Sequence, residues 1–427
     1  MEINQIYQKY KETSSVSTDT RKIEQGCMFF ALKGPNFNGN AFAEEALNSG
    51  AKYAVIDEAE YKKDDRYILV GDVLTSLQQL ANFHRKQLGI PVIAITGSNG
   101  KTTTKELVNA VLSKKYKTYA TRGNLNNHIG IPLTLLAMDE TIELGIVEMG
   151  ANHQKEIEGY CNIAEPDFGL ITNIGKAHLE GFGGEEGVKK GKGELYEYLL
   201  KSGKNIFLNT NDEVLKSISR FPDPVTYPNK GDFYECSFID ASPYIRFKTE
   251  DGTVVTTQLL GAYNFANIAG ALCIGKYFNV PAEAANEAIA SYNPENNRSQ
   301  VIKKEDLTLI LDAYNANPSS MKAAIENFAA MSTSNKKVMV LGDMFELGEQ
   351  SEGEHRNLGK LIGSLKFDAV LLCGKMMQYA AEELKSAHYF SEKSELEKFI
   401  ETNKPKDSTI LIKGSRGMGL ETLVRLL

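Results

Sequence analysis

The chain has 427 residues, 42% hydrophobic and 24% charged, an ordinary balance for globular domains with sizeable cores. A formal net charge of -7 excludes a general nucleic-acid or anionic-membrane surface, so any anionic ligand must be met by local Lys, Arg and backbone N–H groups. No apolar run approaches membrane-spanning length. The scattered cysteines Cys27, Cys161, Cys236, Cys273 and Cys373 have no metal or redox spacing, which predicts reduced thiols, mostly buried.

The start, Met1-Glu-Ile-Asn-Gln5, lacks a basic run followed by an apolar core, so no signal peptide and a cytoplasmic location are expected. The length predicts about two to four domains, and three regions separate. Residues 1–88 mix short strands (Cys27–Leu32, Tyr53–Ile56, Arg66–Val70) with helices (Ala41–Ser49, Val73–Gln87). The break Gly89-Ile-Pro91 opens the second region, 89–297. Its strand candidates are Val92–Thr96, Leu144–Met149, Phe168–Ile174 and Asn205–Asn209. Its helix candidates are Lys101–Lys114, Glu156–Ile163 and Gly187–Leu200. This alternation predicts a parallel sheet with helical crossovers. Phe233–Phe238, Tyr244–Lys248 and Thr253–Leu260 predict a small antiparallel add-on, followed by helices Asn264–Tyr277 and Ala282–Tyr292. The third region, 298–427, alternates again. Strands Leu307–Asp312, Lys337–Leu341, Ala369–Cys373 and Thr409–Lys413 are interleaved with helices Ser319–Met331, Glu354–Leu365, Lys375–Lys385 and Ser394–Glu401, the pattern of a second doubly wound, Rossmann-like unit. It contains no G-x-G-x-x-G, so dinucleotide chemistry has little support.

The most informative run is Ile93-Ala-Ile-Thr-Gly-Ser-Asn-Gly-Lys-Thr-Thr-Thr104. Its order is strand, glycine loop, helix, which is how a nucleoside triphosphate is held. Gly97, Ser98, Asn99 and Gly100 would turn backbone N–H groups toward phosphate oxygens, and the helix N-terminus adds its positive dipole end. Lys101 would reach the β- and γ-phosphates, Thr102 would offer a hydroxyl to Mg²⁺, and Thr103 follows in the first helical turn. The loop departs from the usual spacing, because Ile95 stands where the first glycine of G-x-x-x-x-G-K would fall. A glycine turn joining strand and helix by chance is the bland alternative, and the Lys-Thr pair at the first helical turn argues against it.

Glu148 ends a strand candidate, and ligands in open α/β sheets sit at carboxyl strand ends, so it is placed to hold Mg²⁺. His178 follows the strand ending near Ile174 and is a second candidate. A strand-end Glu is often just solvated and a lone His structural, but a phosphate loop in the same sheet favours the metal reading. The Lys189-Lys-Gly-Lys-Gly-Glu194 run reads, on its own, as a solvated helix face. Asn264-Phe-Ala-Asn267 and Asp312-Ala-Tyr-Asn315 could bond base and ribose, although Asn at helix starts is more often a cap.

Taken in order, these motifs resemble the Mur ligase family, the ATP-dependent enzymes that add amino acids to the cell-wall precursor. The carrying residues are Thr96–Glu106, Gly123-Asn-Leu-Asn-Asn-His-Ile-Gly-Ile-Pro132, Glu148-Met-Gly-Ala-Asn-His153, Asn173–Phe182, Lys192-Gly-Glu-Leu195 and Gly261–Asn267. The last region adds Asp312-Ala-Tyr-Asn-Ala-Asn-Pro318, Gly342–Gly348 and Lys413-Gly-Ser-Arg416. The match spans all three regions. The resemblance implies an N-terminal α/β substrate domain, a central P-loop-type ATPase domain and a C-terminal Rossmann-like domain. Three of the runs (Gly-Asn-Leu-Asn-Asn, Ala-Tyr-Asn-Ala-Asn, Lys-Gly-Ser-Arg) point to the member joining D-alanyl-D-alanine to UDP-N-acetylmuramoyl-tripeptide.

The resemblance also assigns roles. Lys192 matches a lysine that the family carbamylates, giving a carboxylate-like group that helps hold Mg²⁺. Glu148 and His178 match metal-site residues, with Thr102 on the nucleotide's Mg²⁺, and two ions are expected. Asn267, Arg298 and Asp312 match residues that grip ATP. Ser17-Thr18-Asp19-Thr20-Arg21 would contact the UDP end of the substrate, and Asn124, Asn126, Asn127 and Asn315 would contact substrate. Lys413, Ser415 and Arg416 would position the dipeptide. Where family members often show Asp-Gly-His, this chain has Asn38-Gly-Asn40, which bears on the contacts to uridine.

The implied reaction proceeds through an acyl phosphate, needs no nucleophilic side chain, and requires the domains to close over it. A monomer with no nucleic-acid partner and no membrane insertion is expected. The alternatives are a sister ligase adding another amino acid, a P-loop kinase or ATPase, and a non-catalytic nucleotide-binding regulator.

Overall fold

The computed structural model describes residues 2–294 and 297–427. Four sheets larger than a hairpin organise the chain. In the N-terminal unit, strands Val16–Ser17, Met28–Phe30, Tyr53–Ile56 and Tyr67–Leu69 lie in that order, all parallel. Helix Val73–Leu88 then leads into the central unit. Asp72 caps its start by accepting from the Thr75 N–H, and Gly89 ends it in the left-handed conformation at φ 64°.

The central sheet has six parallel strands, ordered Val225–Tyr227, Asn205–Asn209, Phe168–Ile171, Val92–Thr96, Leu144–Glu148 and Thr118–Ala120. The strands Val92–Thr96 and Leu144–Glu148 are buried along their whole length. That explains their unbroken apolar runs, because crossover helices cover both faces of a parallel sheet. Strands Cys236–Ala241, Tyr244–Thr249 and Val254–Leu260 form the expected antiparallel add-on. The C-terminal sheet runs Gln300–Lys304, Leu307–Asp312, Ser408–Lys413, Lys336–Gly342, Ala369–Cys373, His388–Phe390. Its first strand is antiparallel to its neighbour and the rest are parallel.

Three α/β units with an antiparallel insert are therefore what the alternation foretold. Among the elements beyond the expected set, three carry weak periodicity. Thr118–Ala120 and Gln300–Lys304 are short, half-exposed edge strands without clean alternation. Helix Gly130–Leu136 is apolar nearly all round and buried at six of its seven positions, so it carries no 3.6-residue stripe. Four of the five free cysteines are buried and Cys236 is half-buried. No helix of the described residues is long and apolar enough to cross a membrane.

Candidate active site

Strand Val92–Thr96 delivers the glycine loop to the carboxyl edge of the central sheet, and helix Lys101–Leu112 leaves it. Gly97 and Gly100 take φ 141° and 79°, a region that L side chains rarely adopt. A Cβ on Gly97 would collide with Thr172, and one on Gly100 with the Asn267 carboxamide. The loop is fastened to the end of the neighbouring strand Phe168–Ile171. Ser98 N–H donates to Asn173 O at 3.0 Å. Asn99 N–H donates to Asn173 Oδ1 at 3.0 Å, and Thr172 Oγ1 donates to Asn99 O at 2.6 Å. Ser98 Oγ and the Gly175 backbone close the clasp. Thr172 and Asn173 are thus part of the phosphate loop's mounting. Local spacing around residue 97 could not reveal them, since the bonds span more than 70 positions.

Lys101 folds over its own loop, donating from Nζ to Gly97 O at 2.7 Å and Ser98 O at 3.1 Å. Burial pulls its ammonium down to about 8, opposed by Glu148 and reinforced by Arg298. The ammonium therefore sits where phosphate oxygens would complete its shell.

Glu148 is 1% exposed. Asn126 Nδ2 donates to its Oε1 at 2.7 Å, while its Oε2 has no hydrogen-bond partner among the described residues. A buried carboxylate oxygen left open costs free energy unless something fills it. A hard cation with oxygen ligands fits that position, with Thr102, 5% exposed at the helix start, also lining the cleft. Among the described residues no three His, Cys, Asp or Glu side chains converge, so phosphates and waters would have to supply the remaining ligands.

His178 stands in the left-handed region at φ 52°. Its Nδ1 lies against the carboxylate of Glu346 from the C-terminal domain. It lines the same cleft as Glu148, but its ring is engaged across the domain interface.

Lys192 overturns the reading of the Lys-rich helix as a solvated face. Lys190 is exposed, yet Lys192 is 0% exposed, donates from Nζ to Ala151 O at 2.9 Å and lies 5.0 Å from the Phe182 ring centre. Gly191 lets the helix approach, since a Cβ there would strike that ring. Burial holds the Lys192 amine well below its ordinary pKa, Lys101 pushes it further down, and Glu156 and Glu194 oppose. Burial and Lys101 thus both disfavour the charged form of this amine, which lies beside the Ala151 wall of the cleft.

The C-terminal domain closes the other side. Arg298 Cζ lies 3.7 Å from the Tyr314 ring centre, and its Nε is buried without a partner among the described residues. Asp312 accepts from Lys413 Nζ at 2.6 Å and from the Ser299 N–H at 3.2 Å. The hydroxyls of Ser299 and Tyr263 meet at 2.9 Å. Asn267 donates to Asn264 Oδ1 at 2.8 Å. A cleft of about 630 Å³ brings Lys101, Glu148, His178, Asn267, Arg298 and Asp312 together.

This cleft joins a phosphate loop to a second α/β domain, and family comparison covers the chain almost end to end. Residues 12–97 match the Mur ligase family catalytic domain, 95–275 the Mur ligase middle domain, and 297–416 the Mur ligase glutamate ligase domain. The chain belongs to the Mur ligase family. It is 38% identical to a UDP-N-acetylmuramoyl-tripeptide–D-alanyl-D-alanine ligase of Bacillus subtilis, covering 98% of this chain and 94% of that one. The same enzyme of Escherichia coli is 34% identical, over 97% and 93%. Among solved structures, MurF from Acinetobacter baumannii superposes with TM-score 0.88 at 30% identity, covering 99% and 97%. MurF from Thermotoga maritima in complex with ADP gives 0.84 at 26%, covering 97% of each chain.

The remaining sequence candidates of this Mur ligase divide by location. Thr103, Asn126, Asn127 and Asn315 line the cleft. Asn127 also accepts from the Ile129 and Gly130 N–H groups at 3.1 and 2.9 Å, so it caps the following helix. Asn124 is exposed and outside the lining. Lys413, 2% exposed, is committed to Asp312, and Ser415 accepts from the Phe345 N–H at 2.9 Å. Arg416 lies 5.2 Å from the Tyr314 ring centre.

Ser17, Thr18, Asp19, Thr20 and Arg21 lie in the N-terminal domain and do not line this cleft. Arg21 and Asp19 pair at 2.8 Å, with the Arg21 side chain 86% exposed, and that guanidinium lowers the Asp19 carboxyl to about 2. Nearby, the unusual amides earn an explanation. Asn40, 1% exposed, donates to Asp57 Oδ1 at 2.8 Å and accepts from the Asp57 N–H at 3.0 Å. The one carboxamide does both at once, its NH₂ donating and its carbonyl oxygen accepting. Lys33 bridges Asp57 and Glu58 at 2.9 Å each.

Proposed function

We propose that this Mur ligase joins D-alanyl-D-alanine to UDP-N-acetylmuramoyl-tripeptide with ATP, giving the pentapeptide precursor of peptidoglycan in the cytoplasm. The carrying observation is the shared cleft, where a phosphate loop from one domain faces Arg298, Asp312 and Lys413 from another, in a chain that aligns throughout with ligases of that name. The tripeptide carboxylate attacks the γ-phosphorus, an acyl phosphate forms and ADP leaves. The dipeptide amine then attacks the acyl carbon, the amide forms and phosphate departs. Phosphorylation matters because the carboxylate's own leaving group would be oxide.

This chain's residues contribute position and charge. Lys101 exchanges its two loop carbonyls for phosphate oxygens and neutralises charge developing at the γ-phosphate. Gly97 and Gly100 keep the backbone close enough for N–H contacts. Arg298, whose buried Nε has no partner among the described residues, faces the nucleotide from the opposite domain, and Asp312 is oriented by Lys413 to reach the ribose. Thr102, Glu148 and a carbamylated Lys192 would hold up to two Mg²⁺ ions, with His178, oriented by Glu346 at Nδ1, offering its other ring nitrogen. Such ions supply Lewis-acid neutralisation of the crowded phosphates and carboxylate. The open Glu148 Oε2 and the buried Lys192 amine, whose charged form is disfavoured, support that assignment. Formation of the carbamate needs the neutral amine to attack CO₂ and lose a proton.

The decisive experiment is phosphate release from Mg²⁺-ATP with UDP-N-acetylmuramoyl-tripeptide, with and without D-alanyl-D-alanine, followed by product mass. Release that requires both substrates and yields pentapeptide is expected. Release indifferent to the dipeptide would transfer the assignment to a sister ligase or a plain ATPase. Closure is tested by solution scattering, where an ATP analogue plus the UDP substrate should compact the protein.

A further inference from the structure

One loop of the C-terminal domain is held far more tightly than its length requires. Residues 343–348 leave the carboxyl end of strand Lys336–Gly342, beside strand Ser408–Lys413 whose last residue lines the cleft. Its backbone is pinned at several points. Ser415 N–H donates to Asp343 O at 3.0 Å. Met344 N–H donates to His355 Nε2 at 3.1 Å. Phe345 N–H donates to Ser415 Oγ at 2.9 Å. The Asp343 carboxylate accepts from the Met376 and Met377 N–H groups at 3.1 and 2.9 Å. At its tip the loop crosses to the central domain, where Glu346 pairs with His178 and its carbonyl accepts from the Glu180 N–H at 3.4 Å. Both partners of that pair stand at positive φ, 63° for Glu346 and 52° for His178. Two strained residues meeting across an interface persist only where the surroundings force them.

His355 supplies part of that force. It is 0% exposed, on helix Ser351–Gly363. Its Nδ1 lies 2.7 Å from Ser351 O. A carbonyl only accepts, so Nδ1 carries the hydrogen and Nε2 offers its lone pair to Met344. Burial keeps the imidazole below its ordinary pKa, with Asp343 and Glu354 opposing.

We propose that His355 is a positioning residue of the ligation reaction. By accepting the Met344 N–H it fixes the 343–348 loop so that Glu346 meets His178 across the domain interface. The residue touches no substrate, and the inference rests on the ligase reading above only for the choice of assay.

The test is a double-mutant cycle on kcat, with ADP affinity measured by calorimetry. His355→Leu should lower kcat about tenfold while leaving ADP affinity within about twofold, since the phosphate loop is untouched. His355→Gln, whose carbonyl can reach the Met344 N–H, should recover most of that loss. Glu346→Gln combined with His355→Leu should be no slower than the slower single variant, because both break one linkage. A wild-type rate in His355→Leu, or losses that multiply in the double variant, would overturn the proposal. If His355→Leu fails to fold, His355→Gln is compared with the shorter His355→Asn. A faster Gln variant supports the role, and equal rates refute it. Should the wild-type chain form no pentapeptide, the ligase reading falls instead. The same cycle is then read on ligand-induced compaction, with the same additive or non-additive criterion.

Discussion

The central domain meets its two neighbours in different ways. Toward the N-terminal domain the contact is a continuous apolar core. Leu77, Leu80 and Ala81 of helix Val73–Leu88 are fully buried in one cluster with Ile131, Leu135 and Ile157. Buried side chains stitch its edges. Asn82 Nδ2 donates to Ile163 O at 3.0 Å, Arg85 Nε to Ala164 O at 3.0 Å, and His84 Nε2 bonds Met138 O at 2.7 Å. Toward the C-terminal domain the same apolar cluster continues through Met321, Met344 and Leu347, and accessible polar links join it. They include Lys176 with Glu354 at 2.7 Å, the Lys176 N–H donating to Ser319 Oγ at 2.9 Å, Asn317 with Asn99 at 2.8 Å, the Tyr263 and Ser299 hydroxyls at 2.9 Å, and the His178–Glu346 pair. Each fully buried leucine contributes about 1.5–3 kcal/mol, whereas an accessible ion pair contributes about 0–1 kcal/mol. The first seam therefore resists opening more than the second, along which the nucleotide cleft lies.

The largest effect expected from this contrast lies in the cleft itself. Lys101→Ala should lower kcat by about 10³-fold, the scale for removing a charge that stabilises a developing anion. It should leave the melting temperature unchanged or slightly raised, because the buried ammonium is itself disfavoured, as its lowered pKa of about 8 records. Phosphate release and a thermal melt on one sample check both halves. A large drop in stability would mean that the loop geometry depends on this lysine.

Next comes the closed seam. Arg85, with its side chain 10% exposed, pairs with Asp167 at 2.7 Å. Arg85→Ala should destabilise the seam by about 3 kcal/mol, near the low end for a broken buried pair, because Lys204 still reaches Asp167 at 2.7 Å. Urea unfolding should show the earliest transition shifted, with kcat of the folded enzyme unchanged. The open seam should respond in the opposite sense. Lys176→Ala should cost less than about 1 kcal/mol of stability yet alter the compaction seen by scattering. Equal stability losses at both seams would erase the distinction.

The sequence made one side of this picture legible and hid the other. The glycine loop was readable because its chemistry is local, with Gly97, Gly100, Lys101 and Thr102 consecutive enough to declare a strand, a turn and a helix start. Glu148 was readable because a strand end is a position that alternation reveals. Lys192 was misread from composition alone, since Lys189 and Lys190 suggest a wet face, and only packing against Phe182 and Ala151 decides otherwise. Thr172, Asn173, Lys413 and Glu346 act through bonds to residues some 70 to 170 positions away. Such pairings depend on which strands become neighbours, and no window of sequence contains that. The seams themselves were invisible for the same reason. Helix Val73–Leu88 shows an apolar stripe, but nothing in the stripe says that its cover comes from residues 131–157.

The smallest effect concerns pH, and it separates the seams once more. In the closed seam His84 is 6% exposed, flanked by the rings of Tyr7 and Tyr10. Its Nε2 must carry the hydrogen donated to Met138 O, so Nδ1 is left to accept from the Tyr7 hydroxyl at 3.3 Å. Burial lowers its pKa in the fold, while the Met138 carbonyl and Glu140 act the other way. In the unfolded chain the imidazole titrates near the ordinary value of about 6.5. The unfolded state therefore takes up the proton first as pH falls, and stability drops with it. The contribution is complete above about 6.5 and is lost as the pH falls through the lower folded value. His84→Gln should melt lower than the parent at pH 8. Toward pH 5 the gap should narrow, because only the parent then has an imidazole to protonate. A gap that widens in acid would mean that the charged imidazole is tolerated there, and that the seam admits water.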